Sequence, residues 1–408
     1  MQRKDGLDAA QRDELVSVYQ TLGEPDKAHE VLARYIRRHP DDRRIRVRLA
    51  NLQVYDGEPE AGIATWQAIG RRFGENVEVR LALMRLNWQT YHMNRALELA
   101  RSAAPEFDQA GDYDLSIAGE LAWRSGDDAL LKAAYERLWT RESATPIVPQ
   151  RMALAAVQAG NVEAAALWAQ RGWKRYHDGP LLLRIMPVAI NAQRWDLVRR
   201  MLGAAGNRLN GHLEYWLIRA ELATHDGHPR QSVAAYRHAL AIAPGSVTAR
   251  AGLLWTLVSL GDRAQLRHYL RRWAPDAVSD SGLWAAFAAA YSQIGETRRA
   301  LAFYAREMRA NPHDYLWAAS YAQALDQAGY ATDAWRMRRY ALRGLRKQAQ
   351  AELAGGHAGE ATGSVVDLSR RLLGGRSAAP RFRRGSVWLP LSPLRICRRS
   401  LRCCVKTD

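Results

Sequence analysis

Apolar residues recur every three or four positions along most of the chain, which predicts helices. Leu15, Val18, Tyr19 and Leu22 follow this spacing near the start of the sequence. Such a period places the apolar side chains on one face of an amphipathic helix. No apolar run reaches the roughly 18 residues that would span a bilayer. We therefore expect an all-helical chain without a transmembrane segment.

A turn-like position recurs along the sequence at nearly constant intervals. Ten such positions are separated by 33 to 35 residues. Eight of them hold glycine, a residue that readily adopts the left-handed backbone conformation of a helix C-terminus; they are Gly23, Gly57, Gly126, Gly160, Gly227, Gly261, Gly295 and Gly329. Tyr91 and Gln193 occupy the other two positions. A period of this size is typical of stacked helical hairpins.

Each turn position is followed by further residues in register. A small residue often lies five positions later, where two helices approach closely; these residues are Ala28, Gly62, Ala96, Ala165, Ser232, Ala300 and Ala334. A bulky residue often lies nine positions later, namely Leu32, Trp66, Tyr135, Leu202, Tyr236, Leu270 and Tyr304. Pro40, Pro244 and Pro312 lie seventeen positions later and predict the end of the second helix. We expect most of the aromatic residues to pack between neighbouring helices.

These spacings resemble the tetratricopeptide repeat (TPR) family over about residues 5–350. Two units match best. One contains Trp284, Phe287, Ala288, Tyr291, Gly295, Ala300, Tyr304 and Pro312, and the other contains Trp216, Ala220, Gly227, Tyr236, Ala239 and Pro244. The units centred on Tyr91 and Gln193 depart from the family pattern because they lack the turn glycine. The resemblance implies an all-α fold, a right-handed α-solenoid of about ten helix hairpins.

The composition changes after the repeats. We expect residues 351–373 to form a linker with a short helix at Val365 to Leu373, and residues 374–408 to form a disordered, arginine-rich tail. From Arg370 to Asp408 the chain carries 11 basic residues and one acidic residue, so this segment contributes most of the net charge of +17. All three cysteines, Cys397, Cys403 and Cys404, lie there as well. No disulfide framework is expected in the repeats.

The sequence gives little sign of catalytic chemistry. It has no glycine-rich phosphate loop, no His-Glu-x-x-His motif and no strand-turn-helix setting for a nucleophilic serine. His225 and His228 flank a repeat turn, and we interpret them as exposed turn residues rather than metal ligands. We expect no enzyme activity, no cofactor and no metal.

Binding is the remaining function, and repeat arrays bind on the concave surface formed by the first helix of each unit. In the TPR family, residues about 13, 10, 9, 6, 3 and 2 positions before the turn line that surface. The resemblance therefore implies a partner-binding surface in the first half of the chain, composed of Arg44, Arg48, Asn51, Tyr55, Arg85, Trp88, Gln89, Trp123 and Arg124. Arginine and tryptophan suit carboxylate recognition and stacking on flat faces. An ordinary solvated face is the alternative interpretation.

Three functions remain open. The first is a scaffold that binds proteins, and a cytoplasmic co-chaperone-like adaptor is one form of it. The second follows from stretches such as Leu49 to Trp66 and Arg80 to Ala100, which resemble the periplasmic repeats of Pel-type exopolysaccharide export proteins. That resemblance implies a role in exopolysaccharide export or biofilm matrix assembly, with a polysaccharide-modifying enzyme or polysaccharide as partner. The third is binding of nucleic acid or an anionic surface by the basic tail, which we favour least.

The cell compartment depends on which of these functions holds. Met1 to Leu15 alternates charged and polar residues and lacks the apolar segment of an export signal. The exporter resemblance implies the periplasm or cell envelope. A chain that is complete as written would be cytoplasmic.

Overall fold

The computed structural model describes residues 9–354, and these residues form helices throughout with no β-strand among them. The chain divides into two compact units, Met1–Ile185 (unit 1) and Met186–Asp408 (unit 2). The predicted all-helical fold is confirmed for the described residues. The predicted linker helix at Val365 to Leu373 and the predicted disordered tail at 374–408 lie outside them.

Unit 1 consists of helical hairpins, and one predicted turn lies between the two helices of each hairpin. Its helices are α1 (Ala9–Thr21), α2 (Pro25–Arg38), α3 (Arg43–Tyr55), α4 (Pro59–Phe73), α5 (Val77–Gln89), α6 (Met93–Ala103), α7 (Asp112–Ser125), α8 (Asp128–Trp139), α9 (Ile147–Gln158) and α10 (Val162–Tyr176). A short 3-10 helix, Ala104–Gln109, lies between α6 and α7. It falls in the single 35-residue interval of the repeat, between Tyr91 and Gly126.

Unit 2 continues the same alternation. The boundary between the units falls within α11 (Gly179–Asn191). The later helices are α12 (Trp195–Ala205), α13 (Leu213–His225), α14 (Pro229–Ile242), α15 (Val247–Leu260), α16 (Arg263–Ser279), α17 (Trp284–Ile294), α18 (Thr297–Ala310), α19 (Tyr315–Gln327) and α20 (Ala331–Ala354). A 3-10 helix, Ser281–Leu283, precedes α17. Helix α20 extends four residues past the predicted repeat boundary at residue 350.

Local sequence sets the helix ends. Proline begins α2, α4 and α14, where its missing N–H would have no partner in any case. Asp42 and Ser246 cap α3 and α15 by accepting hydrogen bonds from backbone N–H groups three residues ahead, at 3.1 and 3.3 Å. Pro40, Pro244 and Pro312 each follow directly after a helix C-cap, so the predicted stops are confirmed.

All ten predicted turn positions have a positive φ. At the eight glycines φ lies between 69° and 86°. Tyr91 and Gln193 adopt the same left-handed conformation, with φ of 61° and 58°, although such residues rarely do. The hairpin geometry therefore fixes the turn even where the sequence lacks glycine.

Close helix packing explains the small residues that follow each turn. Ala28, Ala96, Ala165, Ser232, Ala300 and Ala334 are fully buried. A Cβ added at Gly62 would lie 2.6 Å from Val54 Cγ2 and 3.3 Å from the Ala50 carbonyl oxygen, so α3 and α4 approach too closely for a larger side chain.

Aromatic side chains pack onto glycine in the neighbouring helix. Tyr135 on α8 lies against Gly119 on α7, and Tyr236 on α14 lies against Gly252 on α15. Tyr135 and Tyr236 are nearly inaccessible to solvent, and burial raises the pKa of Tyr135 to about 12. This packing supports the prediction that most aromatic residues hold adjacent helices together.

Candidate partner-binding surface

The predicted residues of α3 line one groove with α1. Ile45, Leu49 and Leu52 face the core, which leaves the opposite side of α3 toward solvent. The groove has a volume of about 500 Å³ and is lined by Val16, Gln20, Arg44, Val47, Arg48, Asn51, Leu52 and Tyr55. All four predicted residues of this helix therefore lie together.

The α3 groove offers one cation without a charged partner and one exposed aromatic ring. Arg44 is exposed and forms no ion pair with any residue in 9–354. Tyr55 is 83% exposed. Arg48 lies 2.5 Å from Asp13 of α1. The pKa of Asp13 is lowered overall. Desolvation alone would raise this pKa, but the hydrogen bonds and positive charges of Arg12 and Arg48 outweigh desolvation.

Tryptophan and arginine alternate across three neighbouring first helices. Arg124 of α7 lies over the ring of Trp88 of α5 at 5.4 Å from its centroid. Arg151 of α9 lies over Trp123 of α7 at 5.2 Å. Glu120 forms ion pairs with both arginines, at 2.7 and 2.6 Å. We call these five residues the Trp–Arg ladder. Cation–π contacts and shared ion pairs hold the half-buried rings in defined orientations.

Two members of the ladder were missing from the predicted set. Glu120 lies six positions before Gly126, and Arg151 lies nine positions before Gly160. Both are offsets that the family pattern assigns to the binding surface. Applying all of these offsets in the fourth and fifth units would have identified both residues.

Arg85 is occupied by a buried acid. Its Nε lies 3.4 Å from Oδ1 of Asp114, whose side chain is 6% exposed. The backbone N–H of Gly111 donates to the other carboxylate oxygen of Asp114 at 3.2 Å. Burial raises the pKa of Asp114, and Arg85 and the Gly111 N–H only partly offset this. Arg85 is therefore paired with a carboxylate of this chain, and the pair joins α5 to α7.

The remaining predicted residue, Gln89, is exposed at the end of α5. Gln89, Tyr55 and Arg124 occupy equivalent positions, two residues before their turns. Among the described residues, no hydrogen bond, ion pair or ring contact joins the α3 groove to the Trp–Arg ladder. The predicted set thus forms two groups on successive helices of unit 1.

Unit 2 has a separate aromatic cluster. Arg219 of α13 lies 5.2 Å from the ring centroid of Trp216, which stacks on His238 at 4.1 Å. A second groove of about 370 Å³ runs along α12 and α13 beside Arg219. His225 and His228 are exposed at the following turn, and His225 stacks on Trp195 at 4.2 Å.

All ten turn positions are left-handed, six of them are followed by a fully buried small residue, and three units end with a proline. A tetratricopeptide repeat model matches residues 71–347, and a second model of the same repeat matches residues 9–52. The chain belongs to the tetratricopeptide repeat family. Members of this family generally mediate protein–protein interaction and are generally non-catalytic scaffolds. No curated protein matches the chain in sequence.

Several solved structures are similar to this TPR chain at low sequence identity. A chain in the complex of Naa15 and Naa10 bound to HypK-THB is 13% identical, with 91% of this chain and 69% of that chain covered and a TM-score of 0.45. TTC0263, a TPR protein of Thermus thermophilus, is 20% identical, with 44% and 99% covered and a TM-score of 0.33. A chain of the APC/C hetero-tetramer Cut9-Hcn1 is 12% identical, with 90% and 73% covered and a TM-score of 0.34.

Within residues 9–354, none of the helices combines the length and the apolar character that a membrane crossing requires.

Proposed function

We propose that this protein is a non-catalytic scaffold whose partner binds unit 1 along α3, α5, α7 and α9. The observation that supports this most strongly is the Trp–Arg ladder, in which Trp88, Trp123 and two arginines form a preorganised surface on the first helices of three consecutive repeats. Tryptophan and arginine are the residues most enriched among energetic hot spots of protein interfaces. Family membership supports the same function, because TPR proteins generally bind other proteins.

The chemistry of the surface suits a partner that presents carboxylates and flat apolar groups. Arg44 has no charged partner within residues 9–354 and can bind a carboxylate by donating two parallel hydrogen bonds. Tyr55 lies at the other end of α3 in the same groove, and its exposed ring can contact an apolar group of a ligand that extends along the helix. The half-buried rings of Trp88 and Trp123 lose little side-chain entropy on binding because their arginine and packing contacts already restrict them.

The test replaces both ladder tryptophans. The double variant Trp88→Ala and Trp123→Ala is expected to weaken capture of the partner by about 30-fold or more, since each ring is a candidate hot spot. Capture is measured with the full chain as bait and quantified for each retained protein, followed by titration of the purified partner. Helicity and the melting temperature of each variant are recorded in parallel.

Trp216→Ala is the matched control, because Trp216 also lies under an arginine but belongs to unit 2. We expect it to retain capture. Loss of capture with Trp216→Ala, together with retention by the ladder variant, would assign binding to unit 2 instead.

A narrower role in exopolysaccharide export or biofilm matrix assembly is part of the proposal. What supports it is the aromatic-rich sequence of the repeats, which resembles Pel-type export proteins. A polysaccharide-modifying enzyme would be the partner in that case, and tryptophan faces also suit direct contact with sugar rings. The alternative role in nucleic-acid or anionic-surface binding depends on residues 374–408, which lie outside the described residues.

A further inference from the structure

A histidine in the first repeat hydrogen-bonds to the turn of the second repeat. His29 of α2 is 9% exposed, and its Nε2 lies 2.8 Å from Oδ2 of Asp56. An ionised carboxylate can only accept hydrogen bonds, so Nε2 must carry the proton. In the neutral ring, Nδ1 therefore presents a lone pair.

That lone pair faces further acceptors. Nδ1 of His29 lies 3.6 Å from Oε2 of Glu58 and forms no hydrogen bond within residues 9–354. Asp26 lies three residues earlier on the same helix, and the ligand atoms of Asp26, His29 and Glu58 all lie within 4.8 Å of one another. A lone pair directed at carboxylate oxygens is repulsive unless a proton or a metal ion lies between them.

The equivalent position in unit 2 holds an arginine, Arg199, instead of a histidine. Asp196, Arg199, Asp226 and His228 follow the same spacing 170 residues later, which is five repeat periods. There Arg199 forms the ion pair with the turn aspartate, Asp226, at 2.5 Å. Arginine supplies this contact between repeats but has no lone pair for a metal. His29 makes the same contact through Nε2 and keeps a second nitrogen available.

We propose that Asp26, His29 and Glu58 bind a divalent transition-metal ion of the zinc type, with Asp56 orienting the histidine ring. A histidine that donates its other ring N–H to a carboxylate is the usual second shell of such sites. One imidazole with two carboxylates suits zinc better than magnesium or calcium, which prefer oxygen ligands alone. Zinc bonds of about 2.1 Å at tetrahedral angles separate the ligand atoms by about 3.4 Å, close to the distance between His29 and Glu58.

The test measures Zn²⁺ binding to the full chain by competition with a chromophoric chelator. Cysteine thiolates also bind zinc, so the three cysteines are alkylated first. All three lie in the tail, so alkylation leaves the repeats unmodified. The key variant is His29→Arg, which copies the natural arrangement of Arg199 and keeps the contact with Asp56. We expect it to bind one equivalent of zinc fewer than the unsubstituted chain, with unchanged helicity.

Ligand variants and a distant control complete the experiment. Asp26→Asn and Glu58→Gln are each expected to weaken zinc binding by about tenfold or more. His228→Gln, at the equivalent position of unit 2, is expected to leave both stoichiometry and affinity unchanged. Equal zinc stoichiometry and affinity in the unsubstituted chain and in His29→Arg would overturn the proposal.

Discussion

Replacing Phe287 by alanine is expected to lower the free energy of unfolding of unit 2 by about 3–5 kcal/mol. Phe287 is fully buried on α17, and its ring centroid lies 5.3 Å from that of Phe303 on α18. Tyr291 packs against both rings at 5.9 Å. The substitution removes the ring and leaves a cavity that helices held by neighbours on both sides can only partly close. Denaturant unfolding, followed by circular dichroism, measures the loss.

The part of the chain that Phe287→Ala destabilises also tests the repeat account. A repeat array is stabilised mainly by contacts between adjacent units, so amide hydrogen exchange should accelerate in α15 to α18 and stay unchanged in α1 to α8. Trp335→Ala is the control, because Trp335 is 55% exposed and its removal should cost less than about 1 kcal/mol. Uniform acceleration of exchange along the whole chain with Phe287→Ala would contradict the repeat account.

Replacing Arg85 by methionine is expected to destabilise unit 1 by about 2–4 kcal/mol at neutral pH. The change leaves the buried carboxylate of Asp114 without its cation, which in fully buried pairs costs about 3–5 kcal/mol; Arg85 is partly exposed, so we expect somewhat less. Methionine retains most of the packing volume of the arginine stem. Denaturant unfolding of the full chain measures the change.

The pH dependence and a second substitution identify the cause. The pKa of Asp114 is already raised above its usual 3.8 in the folded protein, so the folded state binds the proton more tightly than the unfolded state. The contribution of this group to stability therefore falls as pH rises through the raised pKa. Without Arg85 the pKa of Asp114 rises further, and the stability deficit should shrink as the pH is lowered toward that raised pKa. Asp114→Asn in the Arg85→Met background should restore most of the lost stability, whereas an unchanged deficit would show that Arg85 acts by packing alone.

The repeat period predicts the fold well because its signals are local. Helix ends depend on proline and capping side chains, and the turns depend on register, so even Tyr91 and Gln193 were placed correctly without glycine. Irregular segments carry no such signal. The 3-10 helix Ala104–Gln109 and the left-handed His177 at the C-cap of α10, with φ of 55°, lie outside the repeat pattern and were not predicted.

The candidate surface could be predicted only in part, because sequence offsets give the face of a helix and not the contacts made on it. The offsets place Arg44 to Tyr55 in one groove and bring Trp88 near Arg124. They do not show that Arg85 is held by Asp114, since that pair depends on how α5 and α7 pack. The cluster around His29 was missed for the same reason: its members come from α2 and from the turn after α3.

Site-specific photo-crosslinking tests the proposed binding surface most directly, because it links a bound partner to one chosen position of the chain. A photoreactive phenylalanine analogue is placed at Gln89, which is exposed on the first-helix surface, or at Leu167, which is 48% exposed on the second helix α10. The full chain is irradiated in cells of the organism that encodes it, and adducts are identified by mass spectrometry. The account predicts a discrete protein adduct from position 89 that disappears with Trp88→Ala and Trp123→Ala, and none from position 167. The same adduct from position 167, with none from position 89, would contradict it.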